Sequence, residues 1–189
     1  MKTYETEHFI LRAPAESDLE DNYAIMRDYD NIKYLLTDAQ SREQCLAYIR
    51  YTIRKNNEDP RNEYLFAAVL KGTQRVIGSC SLSLLDVRQG GLSGVVLHRD
   101  FRGKGYGGEL VGFLLRLAFE ELRLRRVISS CDTRNVASYR AMERHGMRRE
   151  GHFLQGRLPS KREPGFFGDE YAYGMLREEY FERGNQQVQ

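Results

Sequence analysis

The stretch that decides the fold is HRDFRGKGYGGELVGFLLRLAFEEL, residues 98–122. In its second half, apolar residues recur at i, i+3, i+4, i+7 and i+8 from Leu110, a spacing that places them along one side of a long α-helix. Its first half places four glycines directly before that helix: Gly103, Gly105, Gly107 and Gly108. Consecutive glycines let main-chain amides approach a ligand closely, and a helix N-terminus attracts anions. The stretch therefore predicts a loop that grips a diphosphate.

Gly103, Gly105 and Gly108 also match the G-x-G-x-x-G fingerprint of dinucleotide-binding proteins. That fold places the fingerprint at the first turn of alternating strands and helices, whereas here three strands on short turns precede the loop. A Walker loop is excluded as well, because no Gly-Lys-Ser or Gly-Lys-Thr follows the glycines at the required distance. An NAD-dependent oxidoreductase is therefore a distant alternative.

Composition bounds the class of protein. The chain of 189 residues is 41% hydrophobic and 30% charged and has no apolar run of the roughly 18 residues that a membrane span needs. We expect one globular domain over residues 1–183, a disordered tail over 184–189, and no membrane partner. No signal peptide is recognisable at the start, so a cytoplasmic location is expected.

The three cysteines stand far apart: Cys45, Cys80 and Cys131. Their odd number and the absence of a C-x-x-C pair argue against a disulfide framework and against a metal site. We therefore expect reduced thiols and no bound metal.

Basic residues concentrate around the glycine loop. Residues 99–149 hold twelve Arg or Lys against six Asp or Glu. This surplus suits an anionic ligand, although solvated helix faces account for part of it. Only Tyr139 and His145 are interleaved as rings among the arginines of 123–149, which is too few for base stacking. A nucleic-acid partner is therefore not expected.

The order of elements is readable along the chain. Strands are predicted over residues 8–13, 64–70, 76–86, 92–98 and 127–131, with two more within 147–158 and 166–176. Helices are predicted from Ser17 or Asp18 to Tyr29, after the capping-box pair Ser41 and Gln44, over the 110–122 stripe, and up to His145. Gly146 follows the last of these, where a left-handed residue ends a helix.

Arg102-Gly103-Lys104-Gly105-Tyr106-Gly107 resembles the R/Q-x-x-G-x-G/A signature of the GNAT superfamily of N-acetyltransferases. The segment TRNVASYRAMERHGMRREGHF, residues 133–153, is similar to the pattern of its Rim-type subgroup, the ribosomal-protein alanine acetyltransferases, with Met147 in place of a phenylalanine. GDEYAYGMLREEY, from residue 168, resembles that subgroup's closing strand and helix. The resemblance runs from about residue 8 to residue 181 and is strongest over 94–153.

The resemblance implies an α/β (α+β) fold of the GNAT type, with a mixed, mostly antiparallel twisted sheet of about seven strands flanked by about four helices. It also implies that acetyl-CoA is the co-substrate. The implied coenzyme-binding residues are Val95, Val96 and Leu97 on a strand, Arg102, Gly103, Lys104, Gly105, Tyr106, Gly107 and Gly108 in the loop, and Asn135 and Ser138.

Two of these residues are the catalytic candidates. Asn135 matches an asparagine that contacts the coenzyme in relatives, and it is equally suited to cap the following helix. Many relatives place a proton-donating tyrosine seven residues after this asparagine, where this chain has Met142. Rim-type relatives instead have a serine near the coenzyme sulfur, and Ser138 stands at that position. We therefore expect Ser138 to be the thiol partner.

The general base is not identified. Relatives often carry a glutamate two residues before a strand glycine, and here Leu92 precedes Gly94. The remaining candidates are Asp86, His98, Glu150 and Asp169. An α-amine, with a pKa of about 7.7–8.0, loses its proton more readily than a lysine at about 10.4. The missing glutamate therefore favours a weakly basic acceptor.

The sequence thus predicts an acetyl-CoA-dependent N-acetyltransferase in which a primary amine attacks the thioester directly. The acceptor is the N-terminal α-amine of a protein or peptide, or a small molecule. An acetyl-cysteine intermediate on Cys131 is a less favoured mechanism. The alternative function is a non-catalytic acyl-CoA-binding sensor of the same fold. The protein is expected to be a monomer or homodimer.

Overall fold

The computed structural model describes residues 1–35, 37–86, 88–159 and 163–186. Its strands are β1 (Tyr4–Glu5), β2 (Phe9–Arg12), β3 (Glu63–Leu70), β4 (Val76–Leu84), β5 (Gln89–Leu97), β6 (Arg126–Asp132), β7 (Arg148–Arg157) and β8 (Gly168–Leu176). Its helices are α1 (Leu19–Met26), α2 (Tyr29–Ile32), α3 (Arg42–Asn56), α4 (Tyr106–Arg116), α5 (Val136–Arg144) and α6 (Arg177–Gln186).

All strands within the described ranges join one sheet in the order β1-β2-β3-β4-β5-β6-β8-β7. Every neighbouring pair is antiparallel except β5 and β6, which are parallel. The predicted α/β class with a mixed, mostly antiparallel sheet is confirmed. The strand count is eight rather than about seven, because the two-residue β1 pairs with β2 and carries no readable alternation.

Ser41 and Asp18 directly precede helices α3 and α1, and their side chains form different hydrogen bonds. Ser41 caps α3 as predicted, with its Oγ accepting from the amide of Gln44 and the Gln44 side chain accepting from the Ser41 amide. Asp18 does not cap α1 through its side chain. That buried carboxylate instead accepts a two-pronged ion pair from Arg12, at 2.6 and 2.8 Å, and a bond from the Ala15 amide. The helix therefore starts at Leu19.

The long helix after the glycines is present, but its last turn changes character. α4 passes at residue 117 into a π-helical turn, Leu117–Glu121, in which the Leu122 amide bonds to the Leu117 carbonyl at 2.9 Å. The apolar stripe is fully buried against the sheet, and Leu110, Leu114 and Ala118 have no exposed surface. This packing fixes the N-terminus of α4 relative to β5.

The feature that makes room for a ligand is the divergence of β5 and β6. They pair only at Gln89↔Arg126, Gly90↔Val127 and Gly91↔Ile128. Beyond Gly91 the strands separate, and a bulge in β5 opposite Ser81 and Leu82 accompanies the separation. The main-chain groups at the C-terminal half of β5 therefore have no strand partner on one side.

α6 continues to Gln186, three residues into the segment 184–189 for which disorder was expected, and residues 187–189 lie outside the described ranges. Across the described ranges, no helix combines the length and apolar character needed to cross a membrane.

Candidate active site

The glycine loop has the backbone that its sequence demands. Gly103 and Gly105 have φ of +75° and +84°, in the left-handed region that side chains disfavour. Nothing lies within 4 Å of a Cβ built at either position. Glycine is therefore required there for conformation and not for packing space, and the loop is open to solvent.

The main-chain amides of this loop are free. The first hydrogen bond of α4 runs from the Glu109 amide to the Gly105 carbonyl, at 3.1 Å. Within the described parts of the chain, the amides of residues 103–108 donate to no protein acceptor. Gly105 is the N-cap of α4 and supplies no side-chain oxygen to satisfy them. These N–H groups, together with the helix dipole, form a site for an anion.

The guanidinium of Arg102, predicted to bind the coenzyme, contacts main-chain carbonyls of the protein. Its guanidinium donates to the carbonyls of Asp30 and Asn31, each at 2.9 Å, and its Nε donates to the carbonyl of Leu97 at 3.3 Å. These carbonyls occupy the guanidinium, so the side chain joins α2 to the end of β5. Lys104 stays exposed, with its Nζ 5.4 Å from the centre of the Phe101 ring.

The gap between β5 and β6 exposes specific backbone groups of the predicted coenzyme strand. The His98 amide donates to the Ile77 carbonyl of β4 at 2.8 Å, and Val96 pairs with Ser79. Because alternate residues direct their main-chain groups to opposite edges of a strand, those of Val95 and Leu97 face the gap. Of the three strand residues predicted to serve the coenzyme, two therefore offer amides to a ligand in the gap, and Val96 does not.

Asn135 and Ser138 lie at the N-terminus of α5, just beyond β6. The Asn135 side-chain oxygen caps α5 by accepting from the Ser138 amide at 3.2 Å. Asn135 thus caps α5, one of the two roles predicted for it, while its side-chain NH2 group remains available to a ligand. The Ser138 hydroxyl lies near the thiol of Cys131 on β6 and acts to lower the pKa of that thiol. Ser138 therefore lies at the end of the strand that borders the gap.

Burial makes two residues near Ser138, namely Cys131 and Met142, unsuitable as catalytic groups. Burial raises the pKa of the Cys131 thiol to about 11, although the nearby Ser138 hydroxyl opposes the rise. A thiol with that pKa is protonated near neutral pH and is a poor nucleophile. Met142, at the position of the usual proton-donating tyrosine, is 2% exposed and belongs to the core. Neither residue has the properties of a catalytic group.

The reserve candidates for the general base have structural partners. Asp86 accepts from the amides of Arg88 and Gln89 in a turn. Glu150 pairs with Arg126 and Arg148, and hydrogen bonds from these arginines lower its pKa. The pKa of Asp169 is lowered by hydrogen bonds from the Gln155 amide and His152.

His98, the fourth candidate, lies directly after β5. Its Nδ1 accepts from the Asp100 amide at 3.4 Å. It therefore stands closest in sequence to the gap-facing strand residues. No single group stands out as a base.

Two features near the loop escaped the sequence analysis. His145, at the end of α5, hydrogen-bonds to the carbonyl of Gly108 and packs against Gly112. Glu109, in the first turn of α4, accepts bonds from the amide and from Nδ1 of His8, both at 2.8 Å. The signal for the first feature was the glycine at position 112 in the middle of an otherwise good helix.

Comparison with known proteins identifies the family. The family model described as "Acetyltransferase (GNAT) domain" matches residues 8–148, which is most of the chain. The chain belongs to the GNAT acetyltransferase family. Its R-x-x-G-x-G signature at 102–107 is thus the loop with free amides at the start of α4.

Similar GNAT proteins cover nearly the whole chain. YnaD of Bacillus subtilis (strain 168), an uncharacterized N-acetyltransferase, is 29% identical over 175 residues, 93% of this chain and 97% of that protein. A GNAT-family acetyltransferase from Bacillus anthracis has a crystal structure with a TM-score of 0.79 and 27% identity, over 94% of this chain and 100% of its own.

A second similar structure was determined with ligands. Spermidine N-acetyltransferase from Vibrio cholerae, in complex with CoA and spermine, has a TM-score of 0.77 at 18% identity, over 93% of this chain and 99% of its own. At that identity the likeness concerns the fold. The two proteins therefore share the overall fold.

Proposed function

We propose that this GNAT protein transfers an acetyl group from acetyl-CoA to a primary amine by direct attack on the thioester. The observation that carries the proposal is the row of unpaired amides at residues 103–108, at the N-terminus of α4 and beside the gap between β5 and β6. A diphosphate fits such a row because each amide donates to a phosphate oxygen and the helix dipole favours negative charge. CoA in the Vibrio cholerae neighbour supports the choice of coenzyme.

In this proposal the thioester lies in the gap along β5. The amides of Val95 and Leu97 face that gap and have no strand partner there. One of them would donate to the thioester carbonyl and stabilise the oxyanion that forms when the amine attacks. Such preorganised donors need no reorientation during the reaction. Val96, which pairs with Ser79, would contribute only packing.

Ser138 is proposed to donate a proton to the departing thiolate. Its hydroxyl stands at the end of β6, against a buried thiol that is itself protonated at neutral pH. Asn135, which caps α5, is proposed to use its free amide group on the coenzyme. A covalent step on Cys131 is not proposed, because its raised pKa removes the thiolate.

We propose that the acceptor is a weakly basic amine, such as the N-terminal α-amine of a protein or peptide, as in the Rim-type subgroup. The site offers no carboxylate at position 92 to deprotonate it, and an α-amine is less basic than lysine by about 2.5 pKa units. Small amines are the second acceptor class, which the spermine complex of the neighbour favours. Contacts to the acceptor are proposed to come from the N-terminal helices and from residues 155–168, of which 160–162 lie outside the described ranges.

The remaining proposals concern the domain, the cellular location and the partners of the protein. We propose that residues 1–183 act as one catalytic domain in the cytoplasm, as a monomer or homodimer, with no nucleic-acid or membrane partner. The three cysteines are all buried and unpaired, which suits a reducing compartment.

A thiol-release assay tests the function. Purified protein with acetyl-CoA would be offered a panel of free amino acids, polyamines and N-terminal peptides, and free CoA would be measured. Turnover with at least one amine is expected. The non-catalytic sensor would instead bind acetyl-CoA in calorimetry and release no thiol above the acceptor-free rate. Absence of coenzyme binding at millimolar concentration would end both interpretations.

A further inference from the structure

Residues 28–35 form a strap, a name used here for the segment that contains α2 and the residues on either side of it. The strap makes two sets of polar contacts with distant parts of the chain. One set joins it to the coenzyme loop, and the other joins it to the C-terminal ends of β6 and β7 and the N-terminal end of β8. Both sets use main-chain carbonyls of the strap and arginines from elsewhere.

The first set belongs to the coenzyme loop. Arg102 donates to the carbonyls of Asp30 and Asn31 at 2.9 Å, and it also reaches the Asn31 side-chain oxygen at 3.3 Å. Arg99, three residues earlier, forms an ion pair with Asp28 at 3.2 Å. A planar guanidinium that bridges two neighbouring carbonyls fixes both direction and distance. This end of the strap therefore moves with the residues that lead into the glycine loop.

The second set belongs to the other side of the gap. Arg157, at the end of β7, donates to the Tyr34 carbonyl at 3.0 Å. The same guanidinium pairs with Glu170 at 3.1 Å and lies 3.8 Å from Asp132, the last residue of β6. Arg157 is mostly buried there, because only 11% of its side chain is exposed. This end of the strap is therefore attached to the sheet beyond β6.

The two attachments lie on opposite sides of the gap. Arg102 follows β5 and Arg157 reaches the end of β6, and these are the two strands that separate after Gly91 and Ile128. The strap thus crosses the open end of the gap. A cleft bounded by the strap on one side and by Asp132, Arg134 and Phe166 on the other lies beneath it.

We propose that Arg102 is a positioning residue that transmits occupancy of the coenzyme loop to the strap, and that the strap is a wall of the acceptor site. This inference rests on the proposed function, because the coupling is meaningful only if the loop binds acetyl-CoA. Arg102, the first residue of the GNAT signature, then acts through the two carbonyls that it holds and not as a ligand of the phosphates. A ligand that orders the loop orders the strap, and by reciprocity a filled acceptor site strengthens coenzyme binding.

Hydrogen-exchange mass spectrometry with CoA as the probe tests this coupling. In the wild type, CoA is expected to slow exchange both in peptides from residues 99–108 and in peptides from the strap. The effect on the strap should be at least about fivefold, the low end of typical coupling between sites. Arg102→Lys keeps the positive charge but loses the fork that spans two carbonyls. In this variant the loop should still be protected by CoA, and the strap should lose its protection.

Two further variants complete the experiment. Arg157→Lys weakens the attachment of the strap to the ends of β6 and β8. In this variant CoA is expected to protect the loop and not the strap. Arg50→Ala removes an exposed arginine that forms an ion pair with Glu16, away from the strap. It serves as the control and should behave as the wild type. Circular dichroism identifies any variant that fails to fold, and Arg157→Lys tests the strap independently of Arg102.

The possible results distinguish failure of the proposed coupling from failure of the proposed function. Protection of the loop without protection of the strap in the wild type would overturn the coupling and leave the proposed function standing. Strap protection that survives in Arg102→Lys would also overturn it. If CoA protects neither segment, the proposed function fails and the coupling fails with it.

Discussion

A Cβ atom at Gly112 would lie 2.7 Å from Cε1 of His145, a separation that side-chain atoms do not tolerate. The imidazole occupies the space that a side chain on α4 would fill, and it hydrogen-bonds to the carbonyl of Gly108 in the first turn of that helix. Helices α4 and α5 therefore approach closely because position 112 is glycine. The contact holds the start of α4, where the proposed diphosphate site lies.

Gly112→Ala should destabilise the protein even though alanine is the better helix former by about 1 kcal/mol. The reason is displacement of the His145 ring. In a His145→Ala background the obstruction is gone, and the same substitution should stabilise by up to about 1 kcal/mol, or roughly 2–4 °C in Tm for a chain of this size. Thermal unfolding of the four proteins of this cycle measures the change. Equal effects of Gly112→Ala in both backgrounds would contradict the packing account.

Acidification should weaken the fold through His145. Burial lowers the pKa of its ring below the ordinary 6.5, aided by the nearby charge of Arg183 and opposed by the bond to Gly108. The unfolded chain therefore binds a proton more readily, and stability falls as the pH drops below about 6.5 towards the folded pKa. Relative to His145→Gln, which does not titrate, the wild type should lose free energy of unfolding between pH 7.5 and 5.5. Parallel pH profiles in urea denaturation would refute this.

Gly105→Glu should abolish coenzyme binding. It introduces a side chain at a φ of +84° and a negative charge at the N-terminus of α4, where the diphosphate is proposed to lie. Gly72→Glu is the matched control, because Gly72 has a φ of +79°, nothing within 4 Å of its Cβ position, and a place in the turn between β3 and β4. Calorimetry with acetyl-CoA should show binding only for the wild type and the control. Loss of binding in both variants would point to general strain in the fold.

Ser138→Ala should lower kcat by about 100-fold, the low end of general acid catalysis, with a smaller change in KM for acetyl-CoA. The main-chain amide of Ser138 donates to the side-chain oxygen of Asn135, so Asn135 still caps α5 in the variant. Cys131→Ala removes the thiol near Ser138 and should keep turnover. Steady-state kinetics with the best amine from the panel separates the two residues. An inactive Cys131→Ala that folds normally would revive the acetyl-cysteine mechanism.

Local signals in the sequence predicted most of the fold. The capping box at Ser41, the apolar stripe from Leu110 and the left-handed Gly146, with φ of +84°, each reflect interactions within a few residues. β1 escaped prediction because two residues cannot show an alternating pattern. Of the two capping candidates, Ser17 and Asp18, Asp18 directly precedes α1 but does not cap it through its side chain, because its carboxylate pairs with Arg12.

The sequence predicted the backbone conformation of the glycine loop and did not indicate the partners of its side chains. Glycines at 103 and 105 predict left-handed backbone angles in the loop, because this preference belongs to the glycine residues themselves. The partners of Arg102, by contrast, lie about 70 residues away in the strap. No spacing in the sequence indicates such a contact, and the basic character of the loop suggested a phosphate ligand instead. The same limit applies to Val95, Val96 and Leu97. Which of them face the gap depends on how β5 pairs with its neighbouring strands, and the sequence does not show that pairing.

The most direct test of the central claim is a crystal structure of the protein with CoA. The account predicts phosphate oxygens about 2.7–3.2 Å from main-chain nitrogens of residues 103–108, with the pantetheine arm in the gap between β5 and β6. Arg102 should keep its bonds to the strap. A diphosphate bound elsewhere, with those amides directed to water or to neighbouring molecules, would contradict the account.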